Sequence, residues 1–498
     1  MIKKFLSIVL VMLMLLPMAI SCSKKDGEEN QSESDSVSTD VSDTENLYDE
    51  NGYLKDSLPE LDYEGYEFNI LGWDDGYVDD FWVEDGAGSV ILSSLYNRNK
   101  KVESRMNIQI SSTFIPGNYG NQADFVAYVI NTAYAGGNNA FDLIGSYSMC
   151  GGSLATNGII HNLYNLEHLD FEKPWWSNSL IERSELGGKL YFATGDIANS
   201  YIYSLHFLTV NLNMLETYHL DDPRQMVKDG TWTLDKMIEM TKDIGVDDDG
   251  EEGKTAGDTF GYAFYSAVEA DCWMAASGMS MSGENSNGVL SLTDDFLGEK
   301  THSLITKIAT QRHSTNDWYH VADGMEGKSI IGGKTLFMGV AGEAMNSFNN
   351  VSFKYGVLPY PKVTSDQTDY YTLLGFAYTT FSIPNNVKDP DMSAAVLECM
   401  NSEAYRSSSP VLYQTVFKSR FANDPIDAEM YDIIKSNAYV DATRVFHSIF
   451  ESSYGWDGTP VGKFRNAIGD NSNTWMSDME NIKRNINQML ANISSSVN

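Results

Sequence analysis

The chain has 498 residues, with 34 Lys and Arg against 69 Asp and Glu, a formal net charge of −35. This excludes a surface built to hold nucleic-acid phosphates, which needs clustered basic side chains. The length exceeds what one hydrophobic core organises and predicts two or three domains; 28 Tyr, 22 Phe and 9 Trp are enough for a large core with aromatics left over for a binding cleft.

Lys3 and Lys4 precede an apolar run from Phe5 to Leu16, and small residues follow up to Ala19-Ile20-Ser21-Cys22. Charge, short apolar core and small residues are the layout of a secretory signal peptide over residues 1–21. The run is shorter than the ~20 apolar residues a spanning helix needs. The cleavage site resembles a bacterial lipobox, with Ala19 where Leu is usual, and this predicts that Cys22 is acylated and becomes the new N-terminus. Each buried acyl CH₂ contributes about 0.8 kcal/mol, so two or three chains anchor stably. The protein is therefore expected at the extracellular face of the cell membrane, lipid-anchored. Residues 22–59 are expected to be the lipidated Cys and a disordered tether, because 23–46 are mainly Ser, Asp and Glu without aromatics. Cys150, Cys272 and Cys399 have no metal-like spacing and read as structural or free thiols. No later apolar run is long enough for a second membrane segment.

In chain order, Tyr66–Trp73 alternates and predicts a strand ending in a loop. Ile91, Leu95, Val102 and Met106 recur at helical spacing; Met106–Phe114 alternates again. A second helix is predicted over Ala123–Tyr134, then a short buried strand in Phe141–Tyr147. Strand–helix–strand–helix–strand implies a parallel sheet, whose ligands bind beyond the carboxyl ends of the strands. That rule points to Trp73–Asp75 and Gly145–Ser148. Residues 160–330 read as helical and loop-rich. Within them Thr231–Ile244 is a predicted helix capped by Thr231, and Asp247–Asp258 a polar loop. Lys354–Lys362 predicts a strand closed by a proline turn, and Ser393–Tyr405 a helix. No internal repeat is present.

Several segments in order resemble the solute-binding proteins of ABC importers, in the carbohydrate branch that includes maltose- and oligosaccharide-binding proteins. They are YEFNILGW, GNNAFDLI, LGGKLYFATGD, VNLNMLE with GTWTLDKM, WMAASG, KYGVLPYPK and SIPNN with the helix after it. The resemblance covers residues 60–405, and Pro174-Trp175-Trp176 is similar to a motif of the larger Gram-positive lipoprotein members. It implies a two-lobed α/β fold of the periplasmic-binding-protein (Venus-flytrap) type with discontinuous lobes and a central ligand cleft. The first lobe is expected from 60–203 plus 329–375 and the second from 204–328 plus 376–498, with crossings near Tyr203, Lys328 and Phe376. Lobe closure on a carbohydrate and delivery to ABC permease transmembrane subunits by a monomer are what the resemblance implies.

A pyranose has an apolar C–H face, met by an aromatic ring, and a rim of hydroxyls, met by polar side chains. Trp73 and Asp74 at the end of the first strand are candidates for this, as are Ser146 and Tyr147 in the loop after FDLI. By resemblance, Trp273 of WMAASG is the expected stacking residue of the second lobe. Glu343 stands where maltose binders carry an aromatic contact, so hydrogen bonding replaces stacking there. Tyr378 adjoins the third crossing, Tyr201 and Tyr203 read as hinge packing, and Trp175 and Trp176 as core. Asp247, Asp249, Glu251 and Asp258 offer oxygen ligands suited to Ca²⁺, but Glu252 stands where the EF-hand pattern wants Gly, and a solvated loop is the default. No cofactor is expected. The chain lacks HExxH, GxSxG and a phosphate-binding GxxxxGK[ST]. Asp79-Asp80 and Glu84-Asp85 are the carboxylate pairs a glycoside hydrolase would draw on, but neighbours on one strand point to opposite faces. A peptide ligand would call for an Arg and Asp clamp, which is not identifiable. The reading is thus a binding protein, not an enzyme, with a peptide or other solute as the alternative ligand.

Overall fold

A computed structural model describes residues 47–496 apart from 75–78, 133–139, 265–266, 321–332 and 415–424. The signal peptide, Cys22, most of the tether, Asp75 and the crossing expected near Lys328 lie outside the described residues. The chain enters through β1 (Tyr66–Asp74), α1 (Val90–Met106) and β2 (Ile108–Pro116), then α2 (Gln122–Ile130), β3 (Leu143–Tyr147), α3 (Ser148–Thr156) and the short α4 (Asn199–Tyr203). β1 lies parallel to β2 in register from Tyr66↔Ile108 to Asp74↔Pro116, and parallel to β3 on its other edge. Phe68, Ile70 and Leu71 are fully buried, as expected for a parallel strand covered on both faces. Ser89 caps α1 by accepting from the Leu92 amide, and Asn107 ends it in the left-handed region at φ 50°. On the buried side of α1, Arg98 and Asn99 reach the carbonyl of Phe81, which holds the long β1–α1 connection in place.

After Ser204 the chain passes into β4 (Leu205–Asn211), α5 (Leu234–Thr241), β5 (Phe260–Phe264), α6 (Val268–Ala276), α7 (Glu299–Ser314), β6 (Trp318–His320), β7 (Thr335–Ala341), β8 (Tyr355–Leu358) and β9 (Thr372–Leu374). All residues of β4 are buried at the centre of this second sheet. β7 runs antiparallel along one edge of β4, while β9 and β8 share the other edge, also antiparallel. β5 lies parallel to both β7 and β6. Gly375–Tyr378 then returns the chain to β10 (Thr379–Ser382), which pairs antiparallel with β3, and to α8 (Pro390–Arg406), packed on α1. Next come α9 (Pro425–Ser436), packed on β8, and β11 (Ala438–Tyr439), paired with β9. Last are α10 (His447–Tyr454) on α3, α11 (Pro460–Gly469) on α6 and α7, and α12 (Trp475–Ser496).

The sheets correct the expected division into lobes. Residues 335–374 are strands of the second sheet, and 379–382 a strand of the first, the reverse of the allocation of 329–375 and 376–498. β6 and β7, on either side of the undescribed residues 321–332, both flank β5 in one sheet. β4, just after Tyr203, belongs to the second sheet, and the chain passes from the second sheet to the first between Leu374 and Thr379, around Phe376. A further passage runs through Gly455–Thr459, from α10 on the first lobe to α11 on the second.

Two local expectations also change. The cap of α5 is Thr233, whose hydroxyl accepts from the Lys236 amide at 3.2 Å, while Thr231 is spent on the Met226 carbonyl. Residues 53–58, placed in the tether, are packed: Tyr53 meets Tyr405 edge-on at 5.6 Å, and Leu54 and Leu58 rest on the core. Asp56 accepts from both terminal nitrogens of Arg105 (2.5 and 2.8 Å), from Ser402 and from Arg406. Burial raises the Asp56 pKa, but these donors outweigh it and hold the carboxyl well below the usual carboxylate range. Among the described residues no helix is long and apolar enough to cross a membrane.

Candidate functional site

The crossing segments meet around a cavity of about 370 Å³. The first lobe lines it with Tyr147 at the end of β3 and Tyr119 just beyond β2. The crossings add Tyr203, Ser204, Gly375–Ala377 and Trp456, and the second lobe adds His206, Val268, Ala341, Glu343 and Arg465. Both lobes and three passages between them thus share one wall.

The aromatic part is interlocked. Tyr119 meets Trp456 edge-on at 5.9 Å, and Phe376 meets it at 6.4 Å and 77°. Arg465 lies over the Trp456 ring at 4.6 Å, and Arg444 over Phe376 at 3.8 Å. The Tyr119 hydroxyl donates to Glu451 at 2.5 Å; burial and that bond push its pKa up to about 12, so it stays a donor. Asp271, 1% exposed, receives Arg465 through Nε (2.8 Å) and Nη2 (2.6 Å), and receives Arg444 as well. Burial raises the Asp271 pKa, yet the two guanidinium groups outweigh it and the carboxyl stays below its ordinary value. Burial likewise lowers the Arg465 pKa, and Asp271 more than restores it. His447, 4.4 Å from Trp456, is held neutral: burial first, then Arg444 and Arg465, push it down to about 3. The arrangement offers apolar ring surface beside a charged, fixed hydrogen-bond fork and an exposed carboxylate, Glu343.

Of the residues singled out in sequence, Tyr147 and Glu343 line this cavity. Trp73 touches Tyr147 edge-on at 5.1 Å and donates Nε1–H to Thr379 at 2.7 Å, but lines a separate cavity of about 440 Å³ with Asp74, Asp79, Asp80, Trp82, Glu84 and Asp85. Ser146 is inside β3, 3.2 Å from the Thr380 hydroxyl. Tyr378 is buried and does not line the cavity. Trp273, 1% exposed, stacks on Trp318 at 5.6 Å and 17°, with Tyr360 edge-on at 5.1 Å. It is a core residue of the second lobe and has no open face for a sugar, because α6 is buried on every side from Glu269 to Ala276. Asp247, Asp249 and Asp258 bring carboxylate oxygens within 4.8 Å of one another; Glu251 is not in that group. Their oxygens accept loop donors: Asp258 from the Asp248 and Thr255 amides, Asp249 from the Thr255 hydroxyl and Glu251 amide, Asp247 from Gly250.

Tyr119, His206, Phe376 as a lining residue, Trp456 and Arg465 were missed. Tyr119 follows the carboxyl end of a parallel strand, so the same rule that pointed to Trp73 covers it. Trp456 and Arg465 come from the last stretch of chain, beyond the resembling segments, and only the tertiary structure brings them to the seam.

No protein-family model matches the chain, and no curated protein matches it in sequence. Solved structures match over nearly their full lengths. An ABC substrate-binding protein from Listeria monocytogenes in complex with cycloalternan aligns with a TM-score of 0.53 at 14% identity, covering 86% of this chain and 99% of its own. A cyclo/maltodextrin-binding protein complexed with maltotetraose gives 0.54 at 12%, covering 85% and 98%. The chain has the fold of the ABC substrate-binding proteins. A maltose-binding periplasmic protein from Listeria monocytogenes, in complex with maltose, shares this substrate-binding fold with a TM-score of 0.54 at 14% identity, over 85% of this chain and 98% of its own. All three are binding proteins rather than enzymes.

Proposed function

We propose that this chain is an extracellular substrate-binding lipoprotein that captures an oligosaccharide between its lobes and delivers it, unaltered, to an ABC permease. The observation that carries the reading is the cavity at the seam, where Tyr119, Phe376 and Trp456 supply ring surface and Arg465 supplies donors fixed by Asp271. Rings match the C–H face of a pyranose, and the Arg465 N–H groups not spent on Asp271, with Glu343, match its hydroxyls. Tyr147 belongs to this set from the first lobe. The sugars held by the similar structures are of the class this lining suits. The signal peptide and Cys22 supply the extracellular, lipid-anchored placement.

The test is a thermal-shift screen of the mature chain with maltose, maltotetraose, cycloalternan and other mono- and oligosaccharides, followed by calorimetry. A ligand at a hundred times its Kd adds about 2.7 kcal/mol to stability. At least one oligosaccharide should raise Tm and be recovered intact after incubation. A panel without any binder, or a sugar converted to products, overturns the reading.

A further inference from the structure

One side of the cavity hides an unusual couple. His206 lies on β4 and lines the cavity, with its Nε2 turned toward Gly375; a Cβ there would come within 2.8 Å of that nitrogen. Its Nδ1 is buried and has no hydrogen-bond partner among the described residues. Oε1 of Glu269 lies 3.8 Å from it. Glu269, in the first turn of α6, is 0% exposed, and neither of its carboxylate oxygens has a hydrogen-bond partner among the described residues. Space for that carboxyl is kept by Gly339 on β7, where a Cβ would meet Glu269 Cγ at 2.9 Å and the Tyr360 hydroxyl at 2.5 Å. The Tyr262 and Tyr360 hydroxyls beside it lie 3.2 Å apart and bond each other. Arg465 is the cation that feels Glu269 from across the site, but its fork is committed to Asp271.

A buried carboxylate without donors is costly, and such groups in native proteins are kept for a reason. We infer that Glu269 is a positioning residue for the cleft: it fixes the His206 imidazole with the proton on Nδ1, so that Nε2 accepts a hydrogen bond from a ligand hydroxyl. A carboxylate only accepts, so the ring nitrogen that meets it must be the donor, and a neutral imidazole then presents its other nitrogen as an acceptor. At 3.8 Å the pair stands just outside hydrogen-bond distance, and the bond requires the two side chains to approach by about 1 Å. The cavity, which Arg465 also lines, thereby gains an acceptor of fixed direction, suited to one hydroxyl of a polyol or sugar. The inference rests on the cavity being the ligand site.

The test combines a tautomer, an affinity and a melting temperature. Protein labelled with ¹⁵N-histidine is examined at pH 8 by two-bond proton–nitrogen correlation, the His206 signals being those lost in His206→Gln. Wild type should show Nδ1–H, and Glu269→Leu should shift His206 toward Nε2–H. With maltotetraose, or the tightest binder of the panel, Glu269→Leu should weaken binding tenfold or more while Tm stays level or rises, since an unpaired buried carboxylate has been removed. Glu269→Gln, which retains an acceptor oxygen, should bind within threefold of wild type. A merely structural Glu269 would lower Tm and affinity together. Nε2–H in wild type, or unchanged affinity in Glu269→Leu, overturns the inference. If no sugar binds wild type, the cleft reading fails, and the wild-type tautomer, assigned through His206→Gln and measured without ligand, still decides the couple.

Discussion

Two tryptophans separate what residue type reveals from what only assembly reveals. Trp273 sits in a segment that resembles a sugar-stacking motif, yet its ring is sandwiched in the second-lobe core by Trp318 and Tyr360. Trp456, in a segment with little sequence signal, reaches the seam because a positive-φ glycine, Gly455 at φ 67°, ends α10 and turns the chain across. The sequence identifies an aromatic; the faces left open depend on which elements surround it. Tyr147 was singled out by the strand-end rule and Glu343 by the resemblance, and both line the cavity. Trp456→Ala should therefore cost about 1–3 kcal/mol of oligosaccharide binding, roughly tenfold to a hundredfold in Kd by calorimetry. Trp273→Ala should instead act through the fold, lowering stability by about 3–5 kcal/mol in denaturant unfolding. A Trp456→Ala variant that binds like wild type removes that ring from the site.

At the level of elements, the first three strands and two helices were legible because each carries a clean period of two or 3.6. Strand partners were not: β9 and β10 are separated by four residues, Gly375–Tyr378, yet belong to different sheets, and no local pattern announces that change. The docking of residues 53–58 was also invisible, since it depends on one carboxylate meeting side chains from α1 and α8. That contact makes a pH prediction. The Asp56 pKa is depressed in the folded state, so its stabilisation is complete above the ordinary carboxylate pKa, near 4, and is lost as pH falls through and below that value. Asp56→Asn should lower Tm at pH 7, by up to about 3 kcal/mol of stability, and the gap from wild type should shrink toward pH 2. Parallel melting curves of the two proteins across that range, with a constant gap, would remove Asp56 from the acid response.

For the whole molecule, the proposed capture by lobe closure makes a prediction, since the cavity is walled by both lobes and by three passages between them. The radius of gyration in solution scattering should fall when the panel's binder is added, and should not respond in Trp456→Ala at a ligand concentration that saturates only wild type. Cys22→Ala should move the protein from the membrane fraction to the medium; equal membrane retention would place the anchor elsewhere.

The clasp at Asp56 also has a mechanical meaning. Tension applied through the chain ahead of residue 49 meets Tyr53 against Tyr405, then Leu54, then the Asp56 carboxylate held by Arg105 on α1 and Arg406 on α8, both elements of the first lobe. The load path ends in that helix pair and does not run through Ser204, Gly375–Tyr378 or Gly455–Thr459. A pull on the chain ahead of residue 49 is thus borne by elements of the first lobe alone.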